Sequence, residues 1–455
     1  MKTKLLFVLL VFNYVNSFSQ IDFLNHIINN NAENATIAFA IDLDGDNDID
    51  IISAHNNTEI VWYENTDGLG SFGIPQVITT AAMEVTSIYA IDLDNDGDID
   101  ILSASHLDNK IAWYENLDGL GNFGAQQIIT TNVDSPFTVF AKDIDGDGFV
   151  DVLSASSEDS KVAWYRNIDG QANFGTQQII TTAIFDVRTL LTLDVDNDGD
   201  LDVIAAGGGL IAWCENLDGS GSFGSPQTIT TNVFGTLSIF IEDLDNDGYL
   251  DLISASYFDK TIAWYKNANG QGSFEEQQII TTNADGASTV FAVDLDLDGD
   301  IDVISSSFLD NKIAWYENTD GQGNFSEQII ITDEAIGAVT AFASDFDLDG
   351  DFDVLAVSYS NNTINWFENL TILGLDENNN INITLYPNPI QNILIIENNS
   401  SIVINTIKVY DVMGRLVLHK IKPTNQIDVS NLVSGILFVK IETDKGLTTK
   451  RIIKE

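Results

Sequence analysis

The chain has 455 residues, 69 of them acidic against 19 basic, for a net charge of −50, and it carries four histidines and one cysteine. So large an acidic excess excludes nucleic acid and anionic lipid as partners, and acidic polysaccharide unless a divalent cation bridges it. A lone cysteine excludes a disulfide framework, and the scarcity of Cys and His excludes zinc clusters.

In chain order, Lys2 and Lys4 precede the apolar run Leu5 to Phe12, with small residues Ser17 and Ser19 where a signal peptidase cuts. The pattern predicts a secretory signal peptide over 1–19, removed before Gln20. The run is too short to span a bilayer, and no other stretch reaches the roughly 18 apolar residues a span needs, so no transmembrane segment is expected.

From Asp42 to Asp353 a nine-residue acidic loop recurs seven times at intervals of 49 to 51 residues, with Asp at positions 1, 3, 5 and 9. These are Asp42, Asp44, Asp46 and Asp50 in the first copy, Asp92, Asp94, Asp96 and Asp100 in the second, and Asp143, Asp145, Asp147 and Asp151 in the third. The fourth has Asp194, Asp196, Asp198 and Asp202, and the fifth Asp243, Asp245, Asp247 and Asp251. The sixth has Asp294, Asp296, Asp298 and Asp302, and the seventh Asp345, Asp347, Asp349 and Asp353.

Two carboxylates about 4 Å apart repel by roughly 4 kcal/mol at an effective dielectric near 20. Four in one turn demand a cation. Hard oxygen donors in that number suit calcium, so the loops predict up to seven Ca2+ ions held by these aspartates. Position 7 varies (Asp48, Phe149, Tyr249), as expected if only its carbonyl faces the ion. An EF-hand would need Glu at position 12, where Ser103, Ser154, Ser254 and Ser305 stand, and flanking helices. The flanks here, such as Thr138 to Ala141 and Val152 to Ala155, are short and β-branched. Each loop is therefore expected to join two strands.

All seven tryptophans (62, 113, 164, 213, 264, 315 and 366) occupy one position in the repeat, in variants of Ala112-Trp113-Tyr114-Glu115-Asn116. A turn such as Asp118-Gly119-Leu120-Gly121 follows, then a strand such as Phe123 to Thr130. Each unit thus reads as strands a and b around the acidic loop, c with the Trp, and d. Four strands per period of about 50 predict a propeller. The seventh unit lacks a d strand, and Phe23 to Ile28 matches Phe123 to Ile128, so the N-terminus is expected to close the ring. The fold class is all-β: a seven-bladed β-propeller over 20–370, closed by the N-terminal strand, with the Trp residues packed between blades and Cys214 buried in one. The repeated Asp-Gly-x-Gly segments read as hairpin turns.

The loop Asp143-Ile144-Asp145-Gly146-Asp147-Gly148-Phe149-Val150-Asp151 and its siblings resemble the calcium loops of FG-GAP or VCBS repeats, the blades of integrin-α-like propellers. The resemblance covers about residues 20 to 370. It implies a calcium-stabilised, extracellular propeller, often adhesive or carbohydrate-associated.

After a Gly- and Asn-rich linker over 371–380, the charge nearly balances. The segment 381–455 alternates strands with polar turns and predicts a small antiparallel β-sandwich. Tyr386-Pro387-Asn388-Pro389, Val409-Tyr410-Asp411, Gly414-Arg415-Leu416-Val417, Leu432 to Gly435, Phe438 to Ile441 and Lys450-Arg451-Ile452-Ile453-Lys454 resemble the type A sorting domain of cargo for the type IX secretion system of Bacteroidetes. The resemblance implies the secretion machinery as a partner and a secreted or outer-membrane-surface location.

Strand direction places the repeated acidic loops on one face and the variable b–c and d–a loops on the other. That variable face carries Phe137, Phe185, Phe234, Tyr257, Phe258, Phe308 and Tyr359, with His55, His106 and Arg188. These aromatics either contact a glycan or protein ligand or pack within their loops. No nucleophile elbow, phosphate loop or zinc signature appears. The expectation is a non-catalytic, monomeric binding or adhesion module, with a polysaccharide lyase or glycoside hydrolase on the same frame as the alternative.

Overall fold

The computed structural model describes residues 21–371 and most of 383–454; the expected signal peptide over 1–19, nearly all of the expected linker and the segment with Gly414-Arg415 lie outside them. The elements among the described residues are all strands. In blade 3, strands a (Pro136–Lys142), b (Asp151–Ser156), c (Lys161–Tyr165) and d (Gln178–Thr181) form one antiparallel sheet in that order. The acidic loop is the a–b connection, and its position 9 is the first residue of strand b. Strand d is shorter than its apolar run suggested. In blade 2 the ladder covers Gln127–Thr130, with an isolated bridge from Phe123 to Asn116 ahead of it.

Strand b is buried along its whole length in blade after blade, as in Asp100–Ser105 and Asp302–Ser307. Sheets stacked face to face around an axis cover both sides of their inner strands, which therefore mix Val, Ile and Leu with small Ser and Ala instead of alternating polar with apolar. Seven apolar clusters fill the seven gaps between neighbouring blades. Trp62 of blade 1 packs with Ile88, Ile101 and Tyr114 of blade 2, and Trp366 of blade 7 packs with Ala38, Ile51 and Tyr63 of blade 1, which closes the circle. Every Trp is at most 5% exposed, which makes these rings inter-blade packing and leaves no open aromatic cage.

In five blades the second glycine of the hairpin turn is a consequence of that packing; in blade 3 Ala172 takes its place, at φ 53°, in the cluster of Trp113. A Cβ on Gly121, at φ +75°, would stand 2.3 Å from Trp62 of the preceding blade, and Gly70, Gly221, Gly272 and Gly323 meet Trp366, Trp164, Trp213 and Trp264 in the same way. Blade 7 has no such turn. Ile21, from the N-terminal segment, shares the cluster of Trp315 instead.

The closing strand Phe23–Asn29 pairs antiparallel with strand c of blade 7, Thr363–Asn369, as the sequence predicted. The register is one residue off the expected one. His26 lies opposite Trp366, the place that Gln127 holds opposite Trp113, whereas the alignment on Phe123 assigned that place to Ile27. In blade 2 the chain loops out between Phe123 and Gln127. The N-terminal strand instead pairs without a break through Leu24 and Asn25, so it needs one residue fewer. His26 consequently stacks on Trp366 at 4.4 Å and bonds Glu368 at 2.7 Å.

Buried hydroxyls explain several irregular positions. The Tyr after the Trp is held by a Ser on strand b and a Gln before strand d: Ser154 and Gln177 reach the Tyr165 hydroxyl at 3.1 and 2.7 Å. In blade 4 Cys214 replaces the Tyr, and Ala205 and Pro226 stand at the places of the Ser and Gln; in blade 7 Phe367 replaces the Tyr and Ala356 the Ser. Removing the hydroxyl with its partners leaves no polar group stranded. Cys214 is buried, and burial pushes its thiol up to about 12.

The C-terminal region forms two sheets. Ile383–Tyr386, Ile393–Asn398 and Gln426–Asp428 make one; Leu416–Ile421, Ile404–Asp411, Gly435–Thr443 and Gly446–Lys454 make the other, in that order. Leu394 and Ile396 of the first share a core with Ile407, Val439 and Ile452 of the second, a sandwich as expected.

Candidate metal centres and axial pocket

Each acidic loop is wound on its own carboxylates. Asp143 accepts from Gly148 N at 2.8 Å, and Asp147 from Phe149 N at 2.9 Å. Asp151, fully buried, accepts from Ile144 N at 3.2 Å and Asn167 N at 2.7 Å, tying the loop to the end of strand c. The same pair of bonds recurs at position 9 of the other loops, for example Asp302 with Leu295 and Asn318.

The loops bring carboxylate oxygens at positions 1, 3 and 9 within 4.8 Å of one another in blades 1, 3, 4 and 5, and those at positions 1, 3 and 5 in blade 2. Position 5 also caps the backbone, as Asp147 does for Phe149 N. Buried carboxylate oxygens without a hydrogen-bond partner occur at position 3 (Asp44, Asp94, Asp196 and Asp245), at position 1 (Asp143 and Asp294) and, in blade 7, at position 7 (Asp351). The donor set is oxygen alone, so it fits a hard divalent ion such as calcium, which aspartates 1, 3, 5 and 9 would hold.

The electrostatics agree. Burial raises the position 9 carboxyls to about 7 at Asp50, Asp100, Asp151, Asp202 and Asp251 and to about 8 at Asp302 and Asp353, against the ordinary 3.8. A carboxyl whose folded pKa lies above its unfolded one holds its proton more tightly when folded. Its contribution to stability is therefore present at low pH and is lost as pH rises from about 4 through 7 to 8. Metal-free protein is expected to melt several degrees higher at pH 5 than at pH 8, and the stabilisation that calcium confers to grow over the same interval; paired thermal melts in EGTA and in calcium check both.

Two features escaped the sequence reading. In six of the seven blades the Asn that ends the Trp motif reaches across the blade gap: Asn167 Nδ2 donates to Leu93 O of blade 2 at 3.0 Å, and Asn65 to Phe346 O of blade 7 at 2.9 Å. Its presence at the same place in all seven units was the available signal. Position 7 is also more than a carbonyl. Its side chain lies over the first glycine of its own blade's hairpin turn, Asp98 over Gly119 and Phe149 over Gly170. The turns themselves are as read. Asp118 accepts from Leu120 N at 3.1 Å, and Asn269, the exception, does the same for Gln271 N at 3.0 Å.

On the opposite face the strand a entrances surround the axis and enclose a cavity of about 450 Å3 reached by all seven blades. Phe137, Arg188, Phe308 and Tyr359 line it, with Glu84 and hydroxyls such as Thr86 and Ser288. Arg188 sits 4.7 Å over the Phe137 ring and bonds Asp186 at 2.9 Å. Two residues deeper along strand a, Phe39, Tyr89, Phe140, Phe240, Phe291 and Phe342 contact one another around the channel at 4.7 to 6.2 Å and plug it. The other variable-face residues lie elsewhere. Phe185, Phe234 and Phe258 are exposed, the last two packed together at 5.0 Å, while His55 is buried and its pKa lowered by that burial. The glycine tract of blade 4 is steric: a Cβ on Gly207 would stand 2.6 Å from the carbonyls of Phe185 and Asp186.

A profile of the FG-GAP-like repeat matches six overlapping windows, residues 42–103, 92–154, 143–205, 194–254, 243–305 and 294–356, and one of the secretion system C-terminal sorting domain matches residues 384–455. A search of curated protein sequences returns no match. Among solved structures, an Agrocybe aegerita lectin described for specific recognition of non-reducing terminal N-acetylglucosamine is similar at 20% identity and TM-score 0.52, over 75% of this chain and 87% of that one. BBS1N in complex with ARL6DN is similar at 10% identity and TM-score 0.53, over 77% and 96%. PorZ, a surface component of the type-IX secretion system of Porphyromonas gingivalis, aligns at 11% identity and TM-score 0.45, over 89% and 58%. For the lectin and BBS1N, at such identities, the likeness is one of fold.

Proposed function

Since this chain belongs to the FG-GAP-like repeat family and ends in a type IX secretion C-terminal sorting domain that sends it to the cell surface or beyond, we propose that it is a calcium-stabilised binding propeller that takes a glycan in its axial pocket. A signal peptide over 1–19 would begin the export, the propeller over 20–370 would be the working part, and 381–455 would engage the secretion machinery.

The pocket is the observation that carries the reading. Its aromatic rings, Phe137, Phe308 and Tyr359, suit the C–H faces of a pyranose, and its hydroxyls together with Arg188 and Glu84 suit sugar hydroxyls. It lies on the face of unequal loops, where a rigid frame presents variation, and away from the repeated acidic loops. Its lining offers one carboxylate, Glu84, where glycoside hydrolysis uses two, which favours binding over turnover.

A glycan panel scored for both retention and released product tests this. Retention of a glycan is expected without reducing-end or unsaturated products, and Tyr359→Ala or Phe308→Ala should weaken it at least about tenfold, or about 1.4 kcal/mol. Product release would move the protein to the polysaccharide-degrading alternative; retention untouched by both substitutions would remove the pocket from the proposal.

A further inference from the structure

We propose that the seven acidic loops are of two kinds: five take calcium, and in blades 3 and 5 a side chain of the protein, Arg166 or Lys266, takes the cation's place. The inference deepens the calcium reading above and rests on it.

Arg166 Nε lies 2.6 Å from Asp145 Oδ2, and its Nη2 lies 2.8 Å from Asp147 Oδ2. Lys266 Nζ contacts Asp245 and also lies 2.9 Å from Asp247. Positions 3 and 5 of these two loops are thus bridged by one cationic group. In the other blades the residue at that place is an acid: Glu64, Glu115, Glu215, Glu317 or Glu368. Each of those carboxylates lies close enough to the position 3 aspartate of its own loop to repel it.

A second difference falls on the same two blades. Position 7 is Asp48, Asp98, Asp200, Asp300 or Asp351 in blades 1, 2, 4, 6 and 7, but Phe149 in blade 3 and Tyr249 in blade 5. The acidic blades therefore gather six carboxylates around each loop, whereas blades 3 and 5 gather four and a fixed positive charge. An aromatic replaces the outer aspartate over Gly170 and Gly270, where blades 1, 2, 4 and 6 set a carboxylate over the matching turn glycine. Two independent sequence positions thus change together in the direction that removes negative charge. A guanidinium or ammonium already seated between positions 3 and 5 has to leave before a divalent ion can bind there, and its departure costs both ion pairs. In the remaining five loops no Lys or Arg lies among the acids, and His26 on Glu368 is the one basic group bonded to them among the described residues, so repulsion is left to a metal to relieve.

Counting bound calcium tests the proposal. The exported full-length chain is stripped with EGTA and dialysed against micromolar free calcium, and its metal is measured by elemental analysis beside protein concentration. Five ions per chain are expected. Arg166→Glu and Lys266→Glu should each raise the count to six, and the double variant to seven. If either Glu variant does not fold, Arg166→Gln is counted instead and is also expected to reach six. Seven ions in the unaltered chain, or a count unmoved by the substitutions, overturns the division into two kinds while leaving calcium binding intact. A count of zero, by contrast, overturns the calcium reading and this inference with it.

Discussion

Stripping calcium with EGTA is expected to lower the melting temperature by about 18 °C. At free calcium a hundredfold above its dissociation constant, each independent site contributes about 2.7 kcal/mol. Five such sites approach the whole stability of an ordinary domain, about 5–15 kcal/mol. Spread over the unfolding entropy of residues 21–371, at about 2.1 cal/mol/K per residue, that loss gives the stated shift. The physical cause is visible in the loops: removing the ion leaves unbonded buried oxygens at Asp44, Asp94, Asp196 and Asp294 beside like charges. Differential scanning calorimetry with and without EGTA, followed by calcium restoration, measures it. A melt indifferent to the chelator would mean that these carboxylates are satisfied by some other route.

Loss of the closing strand should be as damaging and should not depend on calcium. Deleting residues 21–31 would open the pairing of Phe23–Asn29 with Thr363–Asn369, strip His26 from the face of Trp366, and take Asn29 from the Tyr63 hydroxyl, which it bonds at 2.8 Å across the blade 7 to blade 1 seam. Ile21, Phe23 and Ile28 leave the clusters on either side of blade 7. Three apolar side chains of that size represent about 5 kcal/mol or more, and the bared edge of strand c invites pairing between chains. The truncated protein is expected to lose its cooperative transition and to aggregate. A synthetic peptide of residues 21–31 added in trans should restore the melt. Full stability of the truncated chain, or no response to the peptide, would assign closure to something other than this strand.

The two experiments separate the sources of order in the ring. The proposed calcium would act within single loops, where strand a ends. The strand acts once, at the seam. Between them run the Asn bridges, such as Asn116 Nδ2 to Leu43 O at 3.1 Å, which tie six of the seven loops to the next blade; between blades 4 and 5 Gly272 N bonds Val195 O at 3.0 Å instead.

Much of this protein was legible as sequence because its period is its architecture. Aspartates at positions 1, 3, 5 and 9, one Trp per unit, a turn glycine after it and a missing last strand together fix seven four-stranded blades and the segment that closes them, since a repeat that cannot bury its own faces must stack on copies of itself. Residue type alone also set the chemistry of the loops, because oxygen-only donors crowded into a turn suit a hard cation. Tertiary structure decided what depends on distance between units. Arg166 and Lys266 acquire a role only where they lie across positions 3 and 5 of their own loops. The one-residue register of His26, the reach of Asn167 into blade 2 and the convergence of Phe137, Arg188, Phe308 and Tyr359 on the axis join residues far apart in the chain. Periodicity fixes what each unit contains; only the closed ring fixes what the units present to one another.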